Sequence, residues 1–439
     1  MSPEILGLVL LGTMIITIMV GFPISFTLLL LAIVFGYIGF GDRVFYLVVF
    51  QTIGLMKEEV LAAVPLFIFM GYMTEQARLI ERLFGAFRLI LAPLRGSLYL
   101  GVILTSMIFA MATGIVGAAV TVLGIMAAPT MIKAGYDSRL SAGAIAAGGT
   151  LGILIPPSVM LVVMGPVLGV SVSKLYAAAF GPGLLMGGLY IGYCMIRSYL
   201  NPALGPALPH AERASSYRAV IREFLVSIVP LGALILCTLG SILVGLATPT
   251  EAAAVGASGS ILLTLLYRQL TWGRFKEAAF KTLQTTSMIM FLAIASVIFG
   301  AVFARLGSAT LVTNALLGLS FPPMGMLLIL MLLIFALGWP FEWPAVIFVF
   351  LPILLPLVQA LKFDLLWFGT LTAVNLQTAY LSPPVAMSAY YLKAVVPQWE
   401  LRDIYGGMMH FMILQCVALL IVILFPQISL WFPNWLFGP

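Results

Sequence analysis

The sequence predicts an all-α polytopic membrane protein with two inverted repeats, each containing a re-entrant hairpin and a helix broken at Pro-Pro. Three observations carry that prediction. The chain is 62% hydrophobic and 8% charged over 439 residues, with a mean hydropathy of +1.17. A soluble domain carries roughly 25% charged residues, so a soluble globule is excluded, and the length allows on the order of ten or more spans at ~20 residues each. A motif then occurs twice: A-P-T-M-I-K-A-G-Y-D leads to I-P-P-S-V-M over 128–160, and L-P-L-V-Q-A-L-K-F-D leads to S-P-P-V-A-M over 355–387. One offset of 227 superposes Pro129 on Pro356, Asp137 on Asp364, Pro156-Pro157 on Pro383-Pro384 and Met160 on Met387. Finally, the basic residues divide unequally between the two faces that this layout defines.

The elements follow in order. Residues 1–97 hold apolar runs at about 5–20, 23–40 and 60–73. No basic region precedes the first run and no small-residue cleavage site follows it, so these read as mature membrane segments. Residues 74–92 interleave Glu75, Arg78, Glu81, Arg82 and Arg88 with Leu79, Leu83, Phe84 and Phe87, which reads as an amphipathic helix on the membrane surface. In 98–171, the apolar run 98–128 is too long for one upright span and too short for two. Its middle is interrupted at M-A-T-G-I-V-G-A, residues 111–118. That pattern predicts a re-entrant hairpin, followed by a helix over 140–171 broken at Pro156-Pro157.

Segment 172–319 contains further spans and a Pro-rich charged linker, 197–222, between the halves. In 320–395 the pattern returns: hairpin 325–357 interrupted at G-W-P-F-E-W-P-A (338–345), then a helix over 366–395 broken at Pro383-Pro384. Residues 396–439 supply a C-terminal helix. With the N-terminus outside and both hairpins re-entrant, 16 of the 21 Lys and Arg fall on the cytoplasmic face, as the positive-inside rule requires. The first hairpin then opens to the cytoplasm and the second to the outside, which makes the repeats inverted. The net charge of +6 reports this orientation and not a nucleic-acid partner.

Matching breaks in two halves point to a transporter's binding site. Tip and break are equally spaced in both, with 42 positions from Gly114 to Pro156 and from Phe341 to Pro383. Broken helices expose amides that attract anions and carbonyls that ligate cations. A hard cation such as Na⁺ needs oxygen ligands, and small residues let carbonyls converge. Thr113, Gly114 and Gly117 fit that role at the first tip, Ser158 and Ser382 lie beside the breaks, and Gly148-Gly149-Thr150 aligns with Asn375-Leu376-Gln377. The bland alternatives are close helix packing for the glycines and a bond to the i−4 carbonyl for the serines. Glu342, between Trp339-Pro340 and Trp343-Pro344, is an intramembrane carboxylate and so a functional candidate. Its alternative is a helix cap. Asp137, Asp364 and the Thr248-Pro249-Thr250-Glu251 capping box read as structural.

Other chemistry is absent from the pattern. Cys194, Cys237 and Cys416 are isolated in apolar stretches and read as small buried hydrophobes. His210 and His410 are too far apart to form a metal cluster by themselves. No G-x-S-x-G, H-E-x-x-H, P-loop or Cys/His cluster occurs, so an enzyme is not indicated, no cofactor is expected, and transport would have to draw on an ion gradient.

At these residues the chain resembles the large membrane subunit of tripartite ATP-independent periplasmic (TRAP) transporters. The resemblance rests on A-T-G-I-V-G-A at 112–118, A-G-Y-D-S-R-L-S-A-G at 134–143, G-T-L-G-I-L-I-P-P-S at 149–158, G-L-A-T-P-T-E-A-A-A-V-G-A at 245–257 and V-N-L-Q-T-A-Y-L-S-P-P at 374–384. It is nearest the subgroup often labelled mannitol/chloroaromatic or 2-oxo-acid. It implies a DctM-like, Na⁺-coupled elevator transporter of the bacterial inner membrane. A small four-helix membrane subunit and a periplasmic binding protein delivering an organic acid would complete it.

Segments 98–171 and 320–395 would then form the mobile transport domain, and 1–97 and 172–319 the scaffold. The cation region falls on Thr113, Gly114, Gly117, Pro156, Gly338, Glu342, Ser382 and Pro383. The substrate region falls on Pro157, Ser158, Asn375, Gln377 and Pro384. A self-sufficient cation/organic-anion symporter and, in a different class, an ion channel are the rival readings.

Overall fold

The computed structural model describes residues 2–209, 217–319, 321–383 and 385–438, without the side chains of Ala112, Thr113, Tyr217 and Ala219. His210 and Pro384 therefore lie outside the described residues. Among those described, the secondary structure is helical throughout. The first third runs α1 (Pro3–Met19), α2 (Ile24–Phe40), α3 (Arg43–Met56), α4 (Ala63–Gln76), α5 (Leu79–Leu91), α6 (Ser97–Thr113) and α7 (Val116–Lys133). The middle runs α8 (Ser138–Thr150), α9 (Val159–Leu168), α10 (Val172–Leu200), α11 (Tyr217–Ile235), α12 (Pro249–Leu266), α13 (Trp272–Arg305) and α14 (Ser308–Leu317). The remainder runs α15 (Pro323–Leu337), α16 (Trp343–Ala360), α17 (Leu365–Leu376), α18 (Met387–Val395), α19 (Leu401–Leu424) and α20 (Gln427–Phe437). Seven of the helices are long and apolar enough to cross a membrane. Seven further apolar helices among the described residues are 10–17 residues long.

Local chemistry explains the boundaries. Asp137 accepts the N–H of Leu140 at 2.7 Å and Asp364 that of Trp367 at 2.9 Å, capping α8 and α17 identically. Thr248 and Glu251 exchange bonds at the start of α12, with Glu251 accepting from the Thr248 N–H at 2.8 Å. Helix starts at Ser97, Val116, Ser138 and Val159 are answered by Pro323, Trp343, Leu365 and Met387, each 226 to 228 positions later.

Two bodies of helices meet along one cavity. On one side α4 packs against α12 and α13, and α13 also against α2 and α3. On the other, α8 packs against α19 and α7, α17 against α10, α15 and α19, and α10 against α20. The α8–α19 crossing is tight enough that a Cβ on Gly407 would lie 1.8 Å from the Arg139 carbonyl oxygen.

Three details differ from expectation. The apolar side of α5 (Leu79, Leu83, Phe84 and Phe87) is buried against α6 and α11, with the Phe87 and Phe224 rings 5.3 Å apart. Its stripe is thus satisfied by protein. The C-terminal segment is two helices, because Pro426 cannot continue α19. Cys237 is exposed where Cys194 is buried, because it lies on the outward face of α11's π-helical end, Leu236–Gly240.

Candidate functional site

Each hairpin tip is a short break in a helical pair. In the first, α6 closes at Thr113, whose side chain is not described, and Gly114 adopts φ 62°, a left-handed conformation that costs glycine nothing. Ile115 is extended and α7 begins at Val116. Nearby, α8 tightens into a 3₁₀ turn, Leu151–Ile153, before the cis Pro156-Pro157 pair. Two prolines in succession cannot donate to the carbonyls four residues back, Gly152 and Ile153. The Ser158 hydroxyl donates to the Ile153 carbonyl instead, at 2.5 Å, and α9 restarts at Val159.

Tip and break touch through backbone. A Cβ on Gly114 would lie 3.5 Å from the Val159 nitrogen and 3.7 Å from the Pro157 carbonyl oxygen. In the second half the approach is to a side chain: Gly338 ends α15, and a Cβ there would lie 3.0 Å from the Cβ of Ala379, in the 3₁₀ turn Gln377–Tyr380 before break two. Glu342 occupies the N-cap position of α16, yet its side chain makes no capping bond. It is exposed to the cavity.

The cavity, about 540 Å³, is within the usual range for a small-molecule site. One wall brings together Gly114 and Gly117 from the first tip, Glu342 from the second, Tyr380 before break two and Tyr391 beyond it. The opposite wall is α4 and α13, contributing Tyr72, Glu75, Lys281 and Thr285. Gly117 is required by a close approach, since a Cβ would lie 3.0 Å from the Tyr391 ring. Across the cavity the hydroxyls of Tyr72 and Thr285 are 3.1 Å apart. Lys281 Nζ lies 2.7 Å from Glu277 Oε1 and 5.8 Å from the centre of the Tyr72 ring.

The other candidates sit one layer behind. Ser382 is buried and donates to the Thr378 carbonyl at 2.7 Å, the i−4 bond weighed as its alternative. Asn375 is buried and donates to the Met331 carbonyl of α15 at 2.7 Å. Gln377 is buried and accepts from Thr150 at 3.2 Å. Pro156, Pro157, Ser158 and Pro383 form the breaks themselves, with Pro383 partly exposed, and none of these reaches the cavity wall.

The α4 and α13 residues escaped sequence reasoning. Lys281 lies well inside a helix, since Thr271 caps one that starts at Trp272. That cap and the Glu277–Lys281 spacing were the available signals. Nothing in the sequence pairs Tyr72 or Tyr391 with the tips.

Interrupted helices gathered around one cavity, inside a multi-pass helical body, are the architecture of a membrane permease. A model of the family described as tripartite ATP-independent periplasmic transporter, DctM component, matches residues 11–428. The chain belongs to that family, as a large permease component and not an enzyme. It is 29% identical over 423 residues to the sialic acid TRAP transporter large permease protein SiaM of Vibrio cholerae, covering 95% of this chain and 96% of that one. It is 30% identical over 379 residues to the C4-dicarboxylate TRAP transporter large permease protein DctM of Pseudomonas aeruginosa, covering 86% of each. It is also 30% identical over 371 residues to the isethionate TRAP transporter permease protein DctMQ of Oleidesulfovibrio alaskensis, covering 84% of this chain and 57% of that one. Among solved structures, the YdaH transporter of Alcanivorax borkumensis aligns over the whole of both chains with a TM-score of 0.65 at 16% identity, a likeness of fold alone.

Proposed function

We propose that this chain carries an organic acid across the bacterial inner membrane in symport with Na⁺, by an elevator movement. The observation that supports the proposal is one cavity lined together by Gly114 and Gly117 of the first tip, Glu342 of the second, and the helix restarts at Val159 and Met387. Na⁺ is held by backbone carbonyls where tip and break meet, with Thr113 and Gly114 at one end and Gly338 and Glu342 at the other. The acid's carboxylate docks beside it, within reach of amides freed at the helix restarts. The tip-and-break body, segments 98–171 and 320–395, then slides as an inverted pair along α4 and α13.

Relatives named for sialic acid, C4-dicarboxylates and isethionate support an acidic substrate. The tripartite family supports a small membrane subunit and a periplasmic binding protein as partners, within the lipid bilayer. The test is uptake in proteoliposomes containing the chain and both partners, using the acid that the binding protein retains on purification. Uptake should require a Na⁺ gradient. Undiminished uptake with choline in place of Na⁺ overturns the coupling, and equal uptake by the chain alone overturns the tripartite assembly in favour of a self-sufficient symporter.

A further inference from the structure

Two residues related by the internal offset touch each other. Thr150 Oγ1 lies 3.2 Å from Gln377 Oε1, and the two are 227 positions apart, the spacing that superposes the breaks. Each residue ends its helix immediately before its own break, since Thr150 closes α8 and Gln377 follows α17. Their neighbours hold the hairpins. A Cβ on Gly148 would lie 2.5 Å from Ser106 Oγ on α6, and one on Gly149 2.4 Å from a Val120 methyl on α7. In the other half Asn375 donates to Met331 on α15. The contact therefore joins one tip-and-break unit to the other where the two halves meet.

The joint is buried and incompletely paired. Thr150, Gln377 and Gln415 are fully buried, and Gln415 Nε2 donates to Thr150 Oγ1 at 3.2 Å. A hydroxyl has one proton, yet Thr150 has two acceptors within reach, the Ala147 carbonyl at 2.8 Å and Gln377 Oε1 at 3.2 Å. Gln377 Nε2 has no partner, and the buried Tyr190 hydroxyl stands beside Gln415 and Thr150. A buried network with fewer bonds than groups is costly in any one arrangement. Here it has two: the proton turned back to Ala147, or across to Gln377. Coupling between sites travels through such elements with two discrete arrangements.

We infer that Thr150 and Gln377 are positioning residues that make the two cation half-sites act together, the Thr150 proton registering the state of one break to the other. This rests on the Na⁺ reading proposed above. The experiment uses Na⁺ alone as the probe: the melting temperature of the purified protein with its membrane partner, titrated with NaCl against choline chloride. Wild type should respond steeply. Thr150→Val and Gln377→Leu should each flatten the response and raise the midpoint Na⁺ concentration by between about 2-fold and about 30-fold. The double variant should be no worse than either single, and Thr150→Ser should restore the response. If one single variant fails to fold, the other makes the same comparison from the opposite repeat. Variants that melt lower but keep the wild-type Na⁺ steepness and midpoint overturn the inference and leave a structural role. A wild type indifferent to Na⁺ overturns the Na⁺ reading itself.

Discussion

Gly114 offers a perturbation whose cost can be worked out in advance. An alanine there meets no steric obstacle, because its Cβ would stand 3.5 Å from the nearest atom, at ordinary van der Waals contact. The whole penalty comes from φ 62°, which costs a non-glycine residue about 1–2 kcal/mol. That converts to a factor of about 5–30 in the population of the native tip. Gly135 is the matched control: φ 72° in the turn between α7 and α8, with nothing within 4 Å of its Cβ position. Gly114→Ala and Gly135→Ala should therefore lose similar stability by thermal melting in detergent. Only Gly114→Ala should weaken the Na⁺ response of uptake, by about 5- to 30-fold. Gly114→Asn should be milder, since asparagine enters the left-handed region more readily. Wild-type Na⁺ dependence in Gly114→Ala, or an equal loss in Gly135→Ala, would refute the assignment of the tip to cation binding.

Two further substitutions test the site and its support. Glu342→Gln should assemble normally yet weaken Na⁺-dependent uptake by about tenfold or more, as expected for losing a charge-assisted contact of ~1.5–3 kcal/mol. Wild-type kinetics would return Glu342 to a role in shaping the tip. Gly407→Ala would place a Cβ 1.8 Å from the Arg139 carbonyl, so α8 and α19 must separate. Thermal melting should fall by a few degrees, the scale of an overpacking cost of ~1–3 kcal/mol, and an unchanged melting temperature would show the crossing to be more pliant than its spacing implies.

The helix interruptions at 114–115 and 338–342 and the cis Pro156-Pro157 break were legible because their causes are local. Proline removes donors wherever it stands, and Asp137 and Asp364 cap their helices through atoms three residues away. The same locality hid other features. The apolar side of α5 has the same periodicity whether it faces lipid or protein, and only packing on α6 and α11 distinguishes them. Lys281 stands outside the apolar run of its span, and only the helix that continues back to Trp272 carries it to the cavity.

The sequence by itself determined the membrane class, the doubled pattern and the family, since these rest on composition and on motifs read along one chain. It also brought Gly114, Gly117 and Glu342 forward, as residues costly or special where they stand. The tertiary structure alone decided which of the candidates line the cavity and which lie behind it. Ser382, Asn375 and Gln377 are polar residues in apolar runs, and a sequence cannot show whether such a group meets a ligand or another buried residue. The fold answers by distance: Gln377 meets Thr150 at 3.2 Å, a partner 227 positions away that only the packing of the two halves could supply.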